Sequence, residues 1–427
     1  MVKHGALRDW LEATKQRGMA LGLRNTYRAL LALNAVPSKT EIVHVAGSNG
    51  KGTTVATLCA ALTLCKVPNL CFTSPHLVRV EERIRHNGSP VHAHAFDGAL
   101  QRVRDVAEHE NLTLTFFEIT FLVAMVLACE LEVEVLVLET GLGGRLDATR
   151  VAPADVCVVT SLALEHTDVL GDTLDDIARE KAAIARPNRP LIVRRPQAQK
   201  VINAIENEAK HAGSQDLNEE RKPAQLSWVD MEEGMTAAEE AMLLARAVWP
   251  ILNASQHHPF PPFRGVNWPA RMQRISSPRQ PTLEFLLDGA HNPSGMEKSC
   301  AELKTIPEVI QGSWALLVGS TPQQRMTAML QPLVDLCRAY PPTTVVVSVP
   351  QEGRYPGVEG EVLAQALSGM GLSVTKVVEE PKEAVIWFEQ AGSSSSLVVS
   401  IGSLYMQGNI LKALEADDEV LSIRAKV

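Results

Sequence analysis

Short β-branched runs alternate with longer helical patterns along most of this 427-residue chain, the signature of a parallel sheet covered by crossover helices. The predicted class is α/β. In the first half the candidate buried strands are 41–46 (EIVHVA), 69–73 (NLCFT), 133–140 (VEVLVLET), 155–162 (DVCVVTSL) and 190–194 (PLIVR). Each ends in glycine, serine or polar residues, where ligand loops sit in open α/β sheets. Helices are expected over 51–65, 117–129 and 173–185. Thr173 with Asp176 resembles a capping box in which Asp replaces the usual Glu or Gln. From 212 to 223 (AGSQDLNEERKP) the chain turns polar and periodicity fades, so a surface loop or insertion is predicted and no regular element. A helix is expected over 236–252, and the proline-rich run 253–264 (NASQHHPFPPFR) cannot continue it.

Beyond Gln280 a second alternation begins. Strands are expected over 283–287, 314–318, 343–349, 373–378 and 397–401, with helices over 293–304, 323–338, 358–370 and 382–390 and a last one from Leu404. At roughly 150 residues per domain the length allows about three domains or two larger ones. The pattern divides into two, an N-terminal parallel-sheet domain at 1–279 of the P-loop ATPase type and a smaller, Rossmann-like doubly wound domain at 280–427.

Composition removes several function classes. Lys and Arg number 41 against 49 Asp and Glu, a net charge of −8, so no global field for capturing nucleic acid exists. Aromatics at 4% argue against a base-stacking surface. The seven cysteines form no CxxC pair, so neither a zinc framework nor a disulfide scaffold is indicated, and reduced thiols fit best. The longest apolar run, FLVAMVLAC at 121–129, falls far short of a membrane span. The N-terminus carries charges throughout and no apolar signal core, so a cytoplasmic protein is expected.

Chemistry concentrates at strand ends. EIVHVA runs into Gly47-Ser48-Asn49-Gly50-Lys51-Gly52-Thr53-Thr54 and then into a helix, an arrangement that points backbone N–H groups and a helix N-terminus at phosphate oxygens. Lys51 can reach β/γ-phosphates as a point charge and the Thr53 hydroxyl can contact Mg²⁺. The spacing is a variant one, because Val45 stands where the first glycine of GxxxxGK would be; an ordinary left-handed turn is the alternative. After the most apolar strand comes ETGLGGRLDAT at 139–149. Its Glu139 is placed to hold a metal and its glycines let a ligand approach the backbone, or it is a glycine-rich connection with a solvated Glu. SLALEHTDVLG at 161–171 carries Glu165 and His166, and a lone His is more often structural than a ligand. Lys181 by itself reads as a solvated helix lysine. DGAHNP at 288–293 offers ligand groups at a strand end, or a helix N-cap at Asn292 before Pro293.

Taken together these pieces resemble the folylpolyglutamate synthase/dihydrofolate synthase family, a branch of the Mur ligase superfamily. HVAGSNGKGTT (44–54), FTSPHLVRVEERIRHNG (72–88), LETGLGGRLDATR (138–150), EHTDVLGDTLDDIAREKAAIARP (165–187), LDGAHNPSG (287–295) and IGSLYMQG (401–408) stand in family order over most of the chain. The resemblance implies a ligase that moves the ATP γ-phosphate to a substrate carboxylate and lets the amine of L-glutamate displace it. Such chemistry needs cations to neutralise phosphate charge and a second site that positions the amine. ATP and Mg²⁺ are the implied cofactors, with K⁺ a further candidate. A pterin or folate carboxylate and L-glutamate are the implied partners, with no nucleic acid or membrane, for a monomer. Carried over by position, Lys51 and the loop residues 47–54 cradle phosphate, while Ser74, Glu139, His166 and Thr53 match metal ligands. Lys181 matches a lysine carbamylated in the family. Arg271 and Asp288 match nucleotide contacts, and His291 is associated with substrate. Ser74, Pro75, His76, Arg83, Gly144 and Asp147 match the pterin side, and Ser403 and Tyr405 the glutamate side.

The chain also departs from the family pattern. Where the family has a glycine, then HQ, then Asn ahead of the hinge, alignment gives Gly234, Thr236, Ala237 and Glu240; STPQQR at 320–325 replaces a DKD-like element, and Glu165 replaces an Asp. Residues 195–235 match poorly. Two other readings stay open: an amide ligase of the same superfamily acting on a different carboxylate, and a nucleotide-binding protein that has lost ligation.

Overall fold

The computed structural model describes residues 4–18, 22–353, 356–390 and 395–427. These group into two compact units, one comprising 1–76, 81–266 and 422–427 and the other 77–80 and 267–421.

The first unit is built on strands β1 (Glu41–Ala46), β2 (Asn69–Phe72), β3 (Ile84–His86), β4 (Ser89–Pro90), β5 (Val135–Glu139), β6 (Val156–Val159), β7 (Pro190–Arg194) and β8 (Gln225–Val229). They form one sheet in the order β4-β3-β2-β5-β1-β6-β7-β8. The six strands from β2 to β8 run parallel, and β3 and β4 add an antiparallel edge. β1 is buried from Ile42 to Ala46, which is why those five residues are apolar or, in His44, held by a buried hydrogen bond. The helix Lys51–Leu64 is buried from Thr53 to Leu62, and Phe116–Glu130 is buried almost throughout. Neither has a polar face for periodicity to detect. No helix among the described residues is long and apolar enough to cross a membrane.

Caps account for several helix starts. Thr173 and Asp176 form the expected reciprocal box, with Asp176 N donating to Thr173 Oγ1 at 3.3 Å and Thr173 N to Asp176 Oδ2 at 3.3 Å. A second box, Thr115 with Glu118, opens the apolar helix. The segment 212–223 holds a 3₁₀ turn at Gln215–Leu217 and a bridge between Ala212 and Lys222. Edge strand β8 follows it, and the helices Ala93–His109 and Gln199–Lys210, which precede it, also lie where the sequence pattern marks no element.

In the second unit β10 (Gln273–Ser276), β11 (Glu284–Leu287), β12 (Trp314–Val318), β13 (Val345–Val347), β14 (Lys376–Val377) and β15 (Leu397–Ile401) order as β10-β11-β15-β12-β13-β14. All pairs are parallel except β10 with β11. Trp314, Leu316 and Val318 enter one hydrophobic core, while Ala315 and Leu317 enter another. A parallel strand buried on both faces supplies both cores through its period of two. Because β10 hydrogen-bonds β11, a boundary at 279/280 would cut a hairpin. The junction falls instead at Val266/Asn267. Between β9 (Gly265–Asn267) and the C-terminal β16 (Arg424–Lys426), Arg264 N donates to Lys426 O at 2.8 Å, which returns the last six residues to the first unit.

Candidate active site

β1 has β5 on one side and β6 on the other. Its C-terminal end is thus a topological switch point, where open α/β sheets form a crevice between diverging loops. Residues 47–54 leave from that point. Gly47 has φ +150° and Gly50 φ +85°, and Gly50 directly precedes the helix. A Cβ on Gly47 would lie 1.8 Å from Thr160 Oγ1, the hydroxyl that donates to Asn49 O at 2.7 Å. The continuation of β6 pins the loop further. Ser48 N donates to Ser161 O at 2.7 Å, Ser161 Oγ to Asn49 O at 3.0 Å, and Ser48 Oγ accepts from Ala163 N at 3.0 Å. Gly47→Ala is therefore expected to displace Thr160 and the loop with it. A loss of roughly 1–3 kcal/mol in urea denaturation, with a matching loss of ATP affinity in titration calorimetry, would check this.

Two lysines meet on one loop carbonyl. Lys51 Nζ donates to Gly47 O at 2.9 Å and Ser48 O at 3.3 Å. Lys181 Nζ donates to the same Gly47 O at 2.9 Å and to Glu165 Oε1 at 2.9 Å. Lys181 is thus a buried, ion-paired residue, not the solvated helix lysine its isolated pattern suggests. Burial pushes the Glu165 carboxyl up, but the charges of Lys181 and Lys51 outweigh it and bring the pKa down to about 2. His166 is held at φ +46°, and burial lowers its pKa, so the imidazole stays neutral and able to act as a ligand.

Across β1 from that loop, Glu139 ends β5 in register with Val45. Its buried carboxylate accepts from Ser74 N at 3.1 Å, just after β2. Four neighbouring strands, β2, β5, β1 and β6, hence deliver Ser74, Glu139, the loop and the His166 segment to one edge of the sheet. No group of three His, Cys, Asp or Glu gathers among the described residues. The expected set is one carboxylate, one imidazole and the Ser74 and Thr53 hydroxyls. That composition suits Mg²⁺, which keeps waters and phosphate oxygens and needs only one or two carboxylates. Buried Thr54 and Thr140 hydroxyls with no hydrogen-bond partner flank this edge, polar groups left for a ligand shell to satisfy.

The expected pterin-side residues fall into two clusters. In one, Arg83 Nε donates to His76 Nδ1 at 2.9 Å and its guanidinium lies 5.0 Å from the centre of the Phe116 ring; His76 follows Pro75. Phe116 had no sequence signal beyond its apolar helix. In the other, the buried Asp147 accepts from Gly141 N at 2.8 Å and Leu142 N at 3.0 Å. Its second oxygen takes Thr149 N and Thr149 Oγ1. These bonds shape its own glycine loop. Gly144 is required by close approach, since a Cβ there would meet Glu180 O at 2.7 Å and Lys181 O at 2.9 Å.

The remaining candidates belong to the second unit. Asp288 follows β11 and is fully engaged, accepting from Ala290 N at 3.0 Å, Ser299 Oγ at 2.7 Å and Met272 N at 3.1 Å. It ties the Arg271 turn to the helix Pro293–Leu303. Asn292 caps that helix through Gly295 N at 2.8 Å. His291 Nδ1 donates to Gly289 O at 2.8 Å, which sets its tautomer, and Arg271 Nη1 donates to Ala270 O at 3.0 Å. Ser403, 1% exposed, has no hydrogen-bond partner for its hydroxyl, and Tyr405 lies on the helix that Ser403 caps. Glu240, where the resemblance expects an amide, is ion-paired to Arg194 at 2.8 Å.

No family model matches the chain. A curated dihydrofolate synthase/folylpolyglutamate synthase of Escherichia coli is 38% identical over 200 residues, an alignment that spans 47% of either chain. Its namesake from Bacillus subtilis is 27% identical over 96% of this chain and 98% of its own. Escherichia coli FolC in complex with DHPP and ADP superposes with a TM-score of 0.77 at 25% identity, covering 96% of this chain and 98% of that one. The bifunctional folylpolyglutamate synthase/dihydrofolate synthase of Yersinia pestis complexed with AMPPNP and Mn ion also gives a TM-score of 0.77, at 26% identity over 96% and 98% of the two chains. With the fold shared from end to end and the phosphate loop, Glu139 and His166 segments at one sheet edge, the chain is similar over nearly its whole length to the folylpolyglutamate synthase/dihydrofolate synthases.

Proposed function

We propose that this protein is an ATP-dependent acid–amino-acid ligase that adds L-glutamate to a folate-type carboxylate, dihydropteroate, tetrahydrofolate or both. The observation that carries the reading is the edge of the first sheet, where the variant phosphate loop with Lys51 lies one strand away from the buried carboxylate of Glu139. In this reading the γ-phosphoryl group passes from ATP to a carboxylate oxygen, and ADP leaves. The glutamate amine then attacks the acyl carbon, loses a proton, and expels phosphate. A divalent cation supplies neutralisation of phosphate charge, and Glu139, His166, Ser74 and Thr53 would hold it. Loop N–H groups and Lys51 orient the transferred group. Arg83 and His76, braced by Phe116, and the Asp147 loop bind the pterin side; Arg271, His291, Ser403 and Tyr405 serve nucleotide and glutamate, with Asp288 holding the Arg271 turn in place. The likeness to full-length relatives supports these roles. We place the protein in the cytoplasm as a monomer, which size-exclusion chromatography with light scattering would check.

Phosphate release with ATP, Mg²⁺, K⁺ and L-glutamate, plus mass analysis of products, tests the reading. Gain of one glutamate on dihydropteroate indicates dihydrofolate synthase activity, and successive gains on tetrahydrofolate indicate polyglutamylation. ATP hydrolysis indifferent to both pterins would favour a non-catalytic descendant, consistent with Glu240 locked onto Arg194 where an amide is expected. His166→Ala is expected to shift the Mg²⁺ concentration for half-maximal turnover upward about 10- to 100-fold. An unmoved Mg²⁺ titration would remove His166 from the ligand set.

A further inference from the structure

His44 is fully buried on β1, between its register partners Leu138 on β5 and Cys157 on β6. Its Nε2 lies 2.7 Å from Thr149 Oγ1, and that hydroxyl donates to Asp147 Oδ1, which also accepts from Thr149 N at 3.0 Å. A hydroxyl has one proton to give. With that proton committed to the carboxylate, the imidazole must be the donor, so His44 carries its hydrogen on Nε2. Nδ1 is then a bare acceptor, buried without a hydrogen-bond partner. Burial, with Arg186 and Arg150 nearby, keeps the ring neutral, as this tautomer requires. An unsatisfied ring nitrogen in a closed interior costs free energy that an apolar residue at 44 would not, so packing alone does not account for a histidine here.

We propose that His44 is a positioning residue for the Asp147 glycine loop: through Thr149 it fixes the carboxylate that gathers the loop's backbone amides. The other oxygen of Asp147 accepts from Gly141 N at 2.8 Å and Leu142 N at 3.0 Å, so the two oxygens together take three backbone N–H groups and one hydroxyl. A carboxylate occupied in this way has little capacity left for a ligand. It acts through the shape of its loop. Of the residues in this network only His44 lies outside 141–149. It stands on the strand between β5 and β6, while Asp147 caps the 3₁₀ turn Ala148–Val151 that carries Thr149. A rigid central strand thereby sets the direction in which Asp147 points. The proposal rests on the ligase reading, in which the Asp147 loop serves the pterin side, and extends it to a buried residue that reaches the loop only through Thr149.

Amide hydrogen exchange tests the positioning without any substrate. In His44→Leu, which cannot donate, the Gly141 and Leu142 amides are expected to exchange about tenfold faster than in wild type, while β6 and β7 keep their protection. His44→Gln, whose amide can still donate from nearly the same place, should restore slow exchange. Thr149→Val cuts the same bridge from its other end and should match His44→Leu. Unchanged exchange at 141–142 in both His44→Leu and Thr149→Val, or acceleration spread evenly over the sheet, would overturn the proposal. Kinetics with ATP, Mg²⁺, L-glutamate and dihydropteroate give a second readout. KM for the pterin is expected to rise about 5- to 10-fold in His44→Leu, the size of one lost hydrogen bond, with KM for ATP little changed and recovery in His44→Gln. Equal rises in both KM values would count against positioning. ¹⁵N NMR of wild-type protein labelled at histidine needs no variant to fold: His44 is expected as the neutral Nε2–H ring, and the opposite tautomer would overturn the proposal. Wild-type protein that turns over no pterin would remove the ligase reading, and the exchange and tautomer measurements would still decide whether His44 holds the loop.

Discussion

Lys51→Ala is expected to lower kcat/KM for ATP-dependent ligation roughly 10²–10³-fold, the usual cost of removing one preorganised group that meets charge developing in a transition state. The side chain sits at the N-terminus of the helix Lys51–Leu64, four residues from the Gly47 carbonyl that it bonds. Phosphoryl transfer gives the protein little covalent work, so positioning and neutralisation carry the rate. The fold should survive the change. Lys181 still donates to Gly47 O, and Ser48 and Asn49 remain tied to Ser161, Ala163 and Thr160. A melting temperature within a few degrees of wild type, beside the loss of turnover, would separate a chemical from a structural cause. Lys51→Arg should recover only part of the rate, because a planar guanidinium cannot replace a compact ammonium inside a tight loop. Unchanged turnover in Lys51→Ala would show that this loop does not hold the reacting phosphate.

The strands were the most legible part of this molecule, because a parallel strand buried on both faces reads as an apolar run whatever its surroundings. β1, β7, β12 and β15 fall within the expected residues to the last position. Edge strands escaped for the complementary reason. Gln225–Val229 has only intermediate and exposed positions, so no run of buried apolar residues marks it, and β10 becomes a strand only because β11 lies beside it. The site was legible where one residue type has one use, as in the glycines at positive φ and the loop lysine. It was not legible where a role depends on a partner far along the chain. Glu165 and Lys181 are sixteen residues apart, and Lys181 and Gly47 a hundred and thirty-four, so nothing local distinguishes Lys181 from a solvated lysine. Asp288 shows the reverse case: its place at a strand end suggests a ligand contact, yet both its oxygens are taken by Met272, Ala290 and Ser299.

The polar run 212–223 reads as a surface loop or insertion in sequence, and in the structure its Glu219 anchors a buried charge cluster. Arg150, 1% exposed, donates to Ala183 O at 3.1 Å and Ala185 O at 3.4 Å. It also meets Glu219 through both guanidinium arms, at 2.7 and 3.3 Å. Arg186 is buried beside it and donates to Arg150 O at 2.8 Å and Ala152 O at 2.9 Å. Burial and these two arginines hold the His44 imidazole well below its ordinary pKa, so His44 adds no third charge. Arg150→Ala removes the group that bonds two buried carbonyls and a carboxylate, and leaves a cavity. The expected loss is about 3–5 kcal/mol, the range for breaking a buried pair from one side, read by urea denaturation of the purified protein. Glu219→Gln should cost less, since the amide still accepts a hydrogen bond and the carboxylate is partly exposed. Its signature is instead in pH. The guanidinium of Arg150 outweighs burial and holds the folded Glu219 carboxyl below its usual value. The stabilisation is therefore present above the unfolded carboxyl pKa of about 4.3 and is lost as pH falls through the lower folded value. Glu219→Gln should flatten the acid limb of the stability profile and leave the neutral-pH activity of the phosphate-loop edge largely intact. Acid limbs that coincide in the two proteins would mean that another acid balances the two arginines, and the loop would lose its structural role.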